Sequence, residues 1–321
     1  MDLSEYNSNN FMNCHIDSAV PEVCKTEPCV LGVDEAGRGP VLGPMVYGIC
    51  YCPVSRNEDL KVLGAADSKT LTEAQREKLF QSIHENNDYI GWSIEVISPT
   101  FISNCMYKRP KVSLNEVSHN SAITLIRRAM TAGANITQVF VDTVGPPEKY
   151  QAKLQEIFPT LDITVSKKAD ALYPSQGVSS VPGCVVCARV ARDSALAAWQ
   201  FPEGIEGGTW GSGYPGDAIT KNFLQRTLDP VFGFPSLVRF SWSTAESILQ
   251  TKGVPVTWAE EEEADKEKKN TPSVLQFFAR QAGGGRMNGS EENGDGGRRG
   301  AAAAQRHFFF SDRCLQPLQC L

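Results

Sequence analysis

The sequence predicts an α/β fold, in which a mixed β-sheet carries helices on its faces. Three apolar runs each end in a carboxylate, and stretches with helical periodicity lie among them. Strands that alternate with helices are typical of sheets whose faces are covered by helices. The chain has 321 residues, of which 41% are hydrophobic, and this is enough for one large domain or two small ones.

The predicted strands are short runs rich in apolar residues, bounded by glycine or polar residues. They are expected at 29–34, 41–52, 89–97, 136–142 and 163–170. Two helices are predicted from capping boxes, in which Ser or Thr precedes Glu or Gln by three positions. These pairs are Thr72 with Gln75 and Ser113 with Glu116, and the second helix carries an apolar stripe that ends near Gly133.

The second half of the chain changes character. A helix is predicted over 186–199, and 210–244 is rich in glycine, proline and aromatic residues, which are typical of loops. Cys184 and Cys187 have CxxC spacing, but no second pair completes a zinc site, so buried positions on a helix are the better interpretation.

Composition divides the chain into four expected segments. Residues 1–27 form a polar N-terminal segment, and the fold begins at Cys29 within a domain of residues 28–250 that includes a C-terminal extension of helices and loops. Residues 251–281 are a linker and partner-contact segment with a charge run. Residues 282–321 have too little apolar content to fold and form a disordered tail.

Four carboxylates stand at the ends of the apolar runs: Asp34, Glu35, Asp142 and Asp170. The carboxyl ends of parallel strands gather at one edge of a sheet, where ligands bind. Carboxylates that meet there without a cation would repel one another, and hard oxygen ligands suit Mg²⁺ or Mn²⁺. A single acid at a strand end is more often a helix cap or turn residue, but three strand ends with the same pattern favour a metal site.

No apolar N-terminal stretch with a basic start is present, so we expect a protein that is not secreted and whose ten cysteines are reduced. No run of about eighteen apolar residues is present either. The four histidines have no metal-ligand spacing.

Several motifs follow one another in a fixed order. They are Asp34-Glu35-Ala36-Gly37-Arg38-Gly39, Asp67-Ser68-Lys69, Val141-Asp142, Lys168-Ala169-Asp170, Arg192-Asp193 and Gly211-Ser212-Gly213-Tyr214-Pro215. Together they make the chain resemble the catalytic A-type polypeptide of eukaryotic type 2 ribonuclease H, from the N-terminus to about residue 278. A series of spaced motifs is far more specific than any one of them.

This resemblance implies an RNase H-like fold and a metal-dependent endonuclease of the nucleus that acts in DNA replication and repair. Its substrates would be RNA/DNA hybrids and duplex DNA with single ribonucleotides, cut on the 5′ side to leave a 3′-hydroxyl and a 5′-phosphate. It also implies two accessory subunits in a heterotrimer. Residues 271–278 resemble a sliding-clamp peptide with Thr271 where Gln is usual, although packing against a partner subunit is the favoured role.

The resemblance also assigns the site residues. Two Mg²⁺ or Mn²⁺ ions would be held by the catalytic carboxylates Asp34, Glu35, Asp142 and Asp170, with Asp34 bridging the ions. The substrate would be bound by Gly37, Arg38, Gly39, Lys69 and Tyr214, and Tyr214 would stack near the ribonucleotide and help recognise its 2′-hydroxyl.

The net charge of −6 is unusual for a nucleic-acid enzyme, but phosphate binding depends on local basic groups. Candidates are Arg38, Lys69, Lys108, Arg109 and Lys111, each of which could equally be a solvated surface charge.

Two alternatives remain. The glycine-rich stretch 32–43 could be a nucleotide-binding loop, but no Gly-Lys-Ser/Thr closes it. The chain could also be a catalytically impaired scaffold subunit, because residues 175–183 are an insertion relative to the resembled family. In the helix that follows, the family's serine is replaced by valine and its lysine by Arg189.

Overall fold

The computed structural model describes residues 1–63, 71–142, 145–166, 183–205 and 208–255. Contacts group Met1–Val256 as one compact unit. A second unit, Thr257–Leu321, lies outside the described residues, as does the clamp-like segment 271–278. The four expected segment boundaries stay predictions.

A six-stranded mixed sheet forms the centre of the described unit, in the order β1-β4-β3-β2-β5-β6. The strands are β1 (Cys14–Asp17), β2 (Cys29–Ala36), β3 (Met45–Pro53), β4 (Gly91–Ile97), β5 (Ile136–Asp142) and β6 (Asp162–Ser166). The pairs β1–β4, β3–β4 and β2–β3 are antiparallel, whereas β2–β5 and β5–β6 are parallel. The predicted mixed sheet flanked by helices is confirmed.

The helices are α1 (Ser4–Ser8), α2 (Glu22–Thr26), α3 (Asn57–Val62), α4 (Glu73–Glu85), α5 (Pro99–Tyr107), α6 (Leu114–Thr131), α7 (Pro147–Ile157), α8 (Gly183–Ala197), α9 (Ala218–Thr227) and α10 (Ser243–Lys252). Both predicted capping boxes are present, at the starts of α4 and α6. Among these helices, none combines the length and apolar character needed to cross a membrane.

Two apolar cores cover the two faces of the sheet. Even-numbered positions of β2, such as Val30, pack with α8, and odd-numbered positions, such as Leu31, pack with α6. Helix α8 lies very close to β3, because a Cβ on Gly48 would stand 2.8 Å from the carbonyl oxygen of Cys184. Cys184 and Cys187 are buried on α8, which confirms their predicted packing role.

Two expectations about element positions are wrong. The fold begins before Cys29, because β1 pairs with β4 at the edge of the sheet. A strand of only four residues leaves little periodicity to detect. The stretch 210–244 is not all loop either, since Asp217 caps α9 by accepting a hydrogen bond from the amide of Ile219.

Candidate active site

Asp34 and Asp142 lie side by side at the carboxyl ends of β2 and β5. The parallel register pairs Val33 with Val141, so the aspartates that follow stand at the same level. Because Val33 and Val141 face α6, the alternation of a strand turns both aspartates to the α8 face. Asp34 is only 7% exposed, and its carboxylate accepts a hydrogen bond of 2.7 Å from the amide of Glu35.

Glu35 follows Asp34 and starts from the opposite face of β2. Its charge acts on two buried tyrosines of that side, Tyr47 and Tyr150. Burial first and the carboxylate of Glu35 second raise the pKa of both phenols. Glu35 also lines the cavity beside the strand end, so it lies at the same edge of the sheet as Asp34.

The third strand of the parallel part ends next to this pair. Ser166, the last residue of β6, pairs with Asp142. Residues 167–182 lie outside the described residues, and so does Asp170, four positions after Ser166. Within the described residues no three His, Cys, Asp or Glu side chains form a cluster ready to hold a metal. The donors that are described still fit a hard cation, because two neighbouring aspartates supply carboxylate oxygens at one level of one face.

The Gly37-Arg38-Gly39 segment leaves β2 with its peptide planes fixed by two residues from a distant part of the chain. The fully buried guanidinium of Arg239 donates to the carbonyl oxygens of Gly37 at 2.6 Å and Arg38 at 3.0 Å. It also donates to Gly43 at 2.8 Å. The indole of Trp242 donates to the carbonyl oxygen of Gly39 at 3.2 Å. Hydrogen bonds to all three carbonyl groups set the direction of the segment's amide groups as well.

Two glycines of this segment are required by their neighbours. Gly37 has a φ of 75°, and a Cβ at this position would lie 2.1 Å from Nε of Arg192 on α8. A Cβ on Gly39 would lie 3.2 Å from the ring of Tyr214. The sequence prediction that Gly37, Arg38, Gly39 and Tyr214 share one site therefore matches their positions in the structure.

A cavity of about 390 Å³ opens beside the segment, and its lining is strongly polar. It is lined by Glu35, Ala36, Gly37, Arg38, Gly39, Arg76, Arg189, Arg192, Asp193 and Tyr214. Four arginines face two acids, and one acid is already used, because Asp193 accepts a 2.8 Å hydrogen bond from Arg76. Burial lowers the pKa of Arg192, which the nearby Asp193 partly offsets. The cavity therefore has the net positive charge that a phosphate backbone requires.

Tyr214 stands on a loop that is built to hold it. The carbonyl of Gly213 accepts from the amides of Val41 at 2.8 Å and Leu42 at 3.3 Å. Asp217 accepts from both the amide and the hydroxyl of Ser212, and these bonds lower the pKa of Asp217 to about 2. The ring of Tyr214 remains 53% exposed, so it is positioned and still accessible to a substrate.

The remaining predicted basic residues lie elsewhere. Lys69 lies outside the described residues. Lys108, Arg109 and Lys111 are exposed in the loop between α5 and α6 and do not line the cavity. Sequence reasoning missed Arg76, which has no motif around it, and also missed Arg239 and Trp242, whose hydrogen-bond partners lie about 200 positions away.

Comparison with known proteins follows this geometry closely. The family model of ribonuclease HII matches residues 31–245. The catalytic A-type polypeptide of ribonuclease H2 from Rattus norvegicus is 53% identical over 274 residues, which cover 85% of this chain and 89% of the rat protein.

Two solved structures share the fold. The ribonuclease H2 from Pyrococcus horikoshii OT3 has a TM-score of 0.57 at 29% identity, covering 70% of this chain and 98% of that one. The RNase HII of a PCNA:RNase HII complex from Archaeoglobus fulgidus has a TM-score of 0.55 at 26% identity, covering 72% and 99%. The chain belongs to the ribonuclease HII family, among the catalytic subunits of eukaryotic type 2 ribonuclease H, and is therefore a ribonuclease H hydrolase.

Proposed function

We propose that this ribonuclease H hydrolyses the RNA strand of RNA/DNA hybrids and also cuts on the 5′ side of single ribonucleotides in duplex DNA. The observation that carries the proposal is the pair Asp34 and Asp142, side by side at the strand ends and next to an arginine-lined cavity. Acids at this edge would hold cations, and the cavity would hold the phosphates of the strand to be cut.

Asp34, Glu35, Asp142 and Asp170 would hold two Mg²⁺ or Mn²⁺ ions. When bound, such a pair lowers the pKa of an attacking water and stabilises the charge on the leaving oxygen. Water adds to phosphorus, the bond from phosphorus to the 3′-oxygen breaks, and the products are a 3′-hydroxyl and a 5′-phosphate. Asp34 would bridge the ions, since it is the most buried of the described carboxylates at this edge.

Recognition of the ribonucleotide would come from the Gly37-Arg38-Gly39 segment and Tyr214. The 2′-hydroxyl is the group that separates RNA from DNA, and it can both donate and accept a hydrogen bond. Peptide groups fixed by Arg239 and Trp242 offer such partners without reorganisation. The ring of Tyr214 would stack against the sugar of the same nucleotide, and Lys69 would add a phosphate contact.

A catalytically impaired scaffold subunit is the second candidate, because of the insertion at 175–183. Residues 167–182 lie outside the described residues, but the helix after them is complete and packs against β2 and β3. Its Arg189, which replaces the family's lysine, lines the cavity and keeps the positive charge there. These observations favour the active form.

Partners and cellular location follow from family membership as proposals. The chain would assemble with two accessory subunits, and its segment 271–278 would contact a partner subunit, with a sliding clamp as the alternative. It would act in the nucleus, in replication and repair of DNA. A truncation after Lys269 should weaken assembly in a pull-down, whereas a truncation after Ala282 should not.

The direct experiment is a cleavage assay with both accessory subunits co-expressed and end-labelled substrates compared. An RNA/DNA hybrid and a duplex with one ribonucleotide should be cut in Mg²⁺ or Mn²⁺ and not in EDTA. All-DNA and all-RNA duplexes should stay intact. Cutting of the all-DNA duplex, or cutting that continues in EDTA, would contradict the proposal.

The scaffold alternative needs its own variant. Residues 175–183 are deleted and the start of α8 is restored to the family's Ala-Ser-Ile-x-Ala-Lys. A gain in cleavage of more than about a hundredfold, or about 2.7 kcal/mol of barrier, would show that the chain is impaired. Equal rates would remove the scaffold alternative.

A further inference from the structure

The Arg38-Gly39 segment separates two different surfaces. On one side lies the polar cavity. On the other lies a groove of about 480 Å³, lined by Arg38, Gly39, Met106, Leu114, Ser241, Trp242 and Ser243. None of these described lining residues is a carboxylate, and most of the side-chain surface is apolar. We propose that this groove, named the Trp242 groove, binds the uncut strand of the duplex and that its apolar wall selects deoxyribose there. The inference rests on the proposed function.

Continuity with the cavity supports this occupant. Arg38 and Gly39 line both surfaces, so the groove begins where the cavity ends. A duplex has two sugar-phosphate strands on either side of its minor groove, which is about 6 Å wide in B-form DNA and wide and shallow in A-form helices. A narrow segment that lies in the minor groove would therefore meet one strand on each side.

The groove walls are held in place from within the protein. Trp242 is fixed by its indole bond to Gly39 and by the guanidinium of Arg239, which lies 5.0 Å from the ring centroid. The sulfur of Met106 accepts a 3.3 Å contact from the hydroxyl of Ser241. A preformed wall loses little entropy when a strand packs against it.

Charge at the groove suits a polyanion. Met106 is near the end of α5 and Leu114 begins α6, and the loop between these helices carries Lys108, Arg109 and Lys111, all exposed. Basic side chains beside an apolar wall match a strand that presents phosphates and sugars at once.

The apolar wall argues for DNA over RNA in this groove. A ribose packed on Met106 and Leu114 would bury its 2′-hydroxyl without a hydrogen-bond partner, whereas the C2′ methylene of deoxyribose loses nothing. The polar cavity side would read the 2′-hydroxyl of the cut strand, and the Trp242 groove would reject one on the other strand.

The test uses the full chain with its accessory subunits and two substrates that differ only in the uncut strand. Both carry one ribonucleotide in the cut strand. Opposite it lies either DNA or DNA with riboses at the positions facing the groove. Wild-type protein should prefer the first substrate in kcat/KM. Met106→Gln, which offers a partner to a 2′-hydroxyl, should narrow this preference by about threefold to tenfold, mainly through KM.

Phe101→Gln is the matched control, because Phe101 is an exposed apolar residue on the same helix but outside the groove. It should leave the preference unchanged. An unchanged preference with Met106→Gln would overturn the proposal. So would weaker assembly with the accessory chains at unchanged duplex binding, which would make the groove a protein-docking surface.

Binding of both duplexes, measured by fluorescence anisotropy, separates this inference from the proposed function. If neither duplex is cut, the proposed function fails. The groove proposal is then judged by affinity alone, and it fails if Met106→Gln and Phe101→Gln bind the two duplexes alike.

Discussion

The two sides of the Arg38-Gly39 segment differ in chemistry although they share the same backbone. The cavity side presents four arginines and the exposed ring of Tyr214, beside the carboxylates at the strand ends. The Trp242 groove presents Met106, Leu114 and an indole. One fixed segment can therefore distinguish two strands, because each side offers a different environment to the sugar that it meets.

Arg239 is the residue on which both sides depend, so its substitution should have the largest effect. Arg239→Met removes donors from the carbonyls of Gly37, Arg38 and Gly43 and should lower the free energy of unfolding by about 3 kcal/mol. The melting temperature should fall by about 6–12 °C. Cleavage of the hybrid and duplex binding should both fall.

Arg239→Lys serves as the second variant, because it keeps the charge but cannot reach three carbonyl groups from one nitrogen. We expect it to fold and still to lose cleavage. Normal cleavage by Arg239→Lys at an unchanged melting temperature would show that the segment does not need these bonds.

Gly37→Ala should affect the cavity side more than the groove. Its Cβ would clash with Arg192, and the positive φ adds strain of about 1–2 kcal/mol. A displaced segment should reduce cleavage by about a hundredfold, with duplex binding less affected. Gly216→Ala is the control, because a Cβ there meets no atom within 4 Å. Equal activity of the two variants would contradict the assigned role of Gly37.

Tyr214→Ala should have a smaller and more selective effect. Loss of the ring should reduce the preference for a single-ribonucleotide duplex over all-DNA by about tenfold, since a stacked ring contributes about 1–3 kcal/mol. General duplex binding should change little, because phosphate contacts set it. Tyr107→Ala is a useful comparison, since Tyr107 is similarly exposed but stacks on Phe240 beside the groove helix α5. Equal losses in preference would make Tyr214 a structural residue.

Local patterns were enough to predict much of this arrangement. Asp34 and Asp142 end apolar strands, and the register then brings them together as the parallel arrangement requires. Both capping boxes lie where their spacing predicts them. These features depend on neighbouring residues in the sequence, so periodicity and spacing are sufficient to find them.

Features that depend on distant residues could not be predicted. Arg239 acts on carbonyls 196 to 202 positions away, and nothing near it in the sequence indicates a buried guanidinium. The Trp242 groove joins residues that follow β2 with residues from α5, α6 and the start of α10, so no single stretch shows an apolar surface. The roles assigned to Asp170 and Lys69 remain proposals, because these residues lie outside the described residues.

The most direct test of the account compares Asp34→Asn with Asp162→Asn in Mg²⁺ on a duplex with one ribonucleotide. Asp162 is an exposed aspartate at the opposite end of β6, so it controls for loss of a strand-end charge. Asp34→Asn should lower the cleavage rate by about a thousandfold, or about 4 kcal/mol of barrier, at an unchanged melting temperature. Asp162→Asn should cleave normally. Near-normal cleavage by Asp34→Asn would remove Asp34 from the metal site and contradict the central claim.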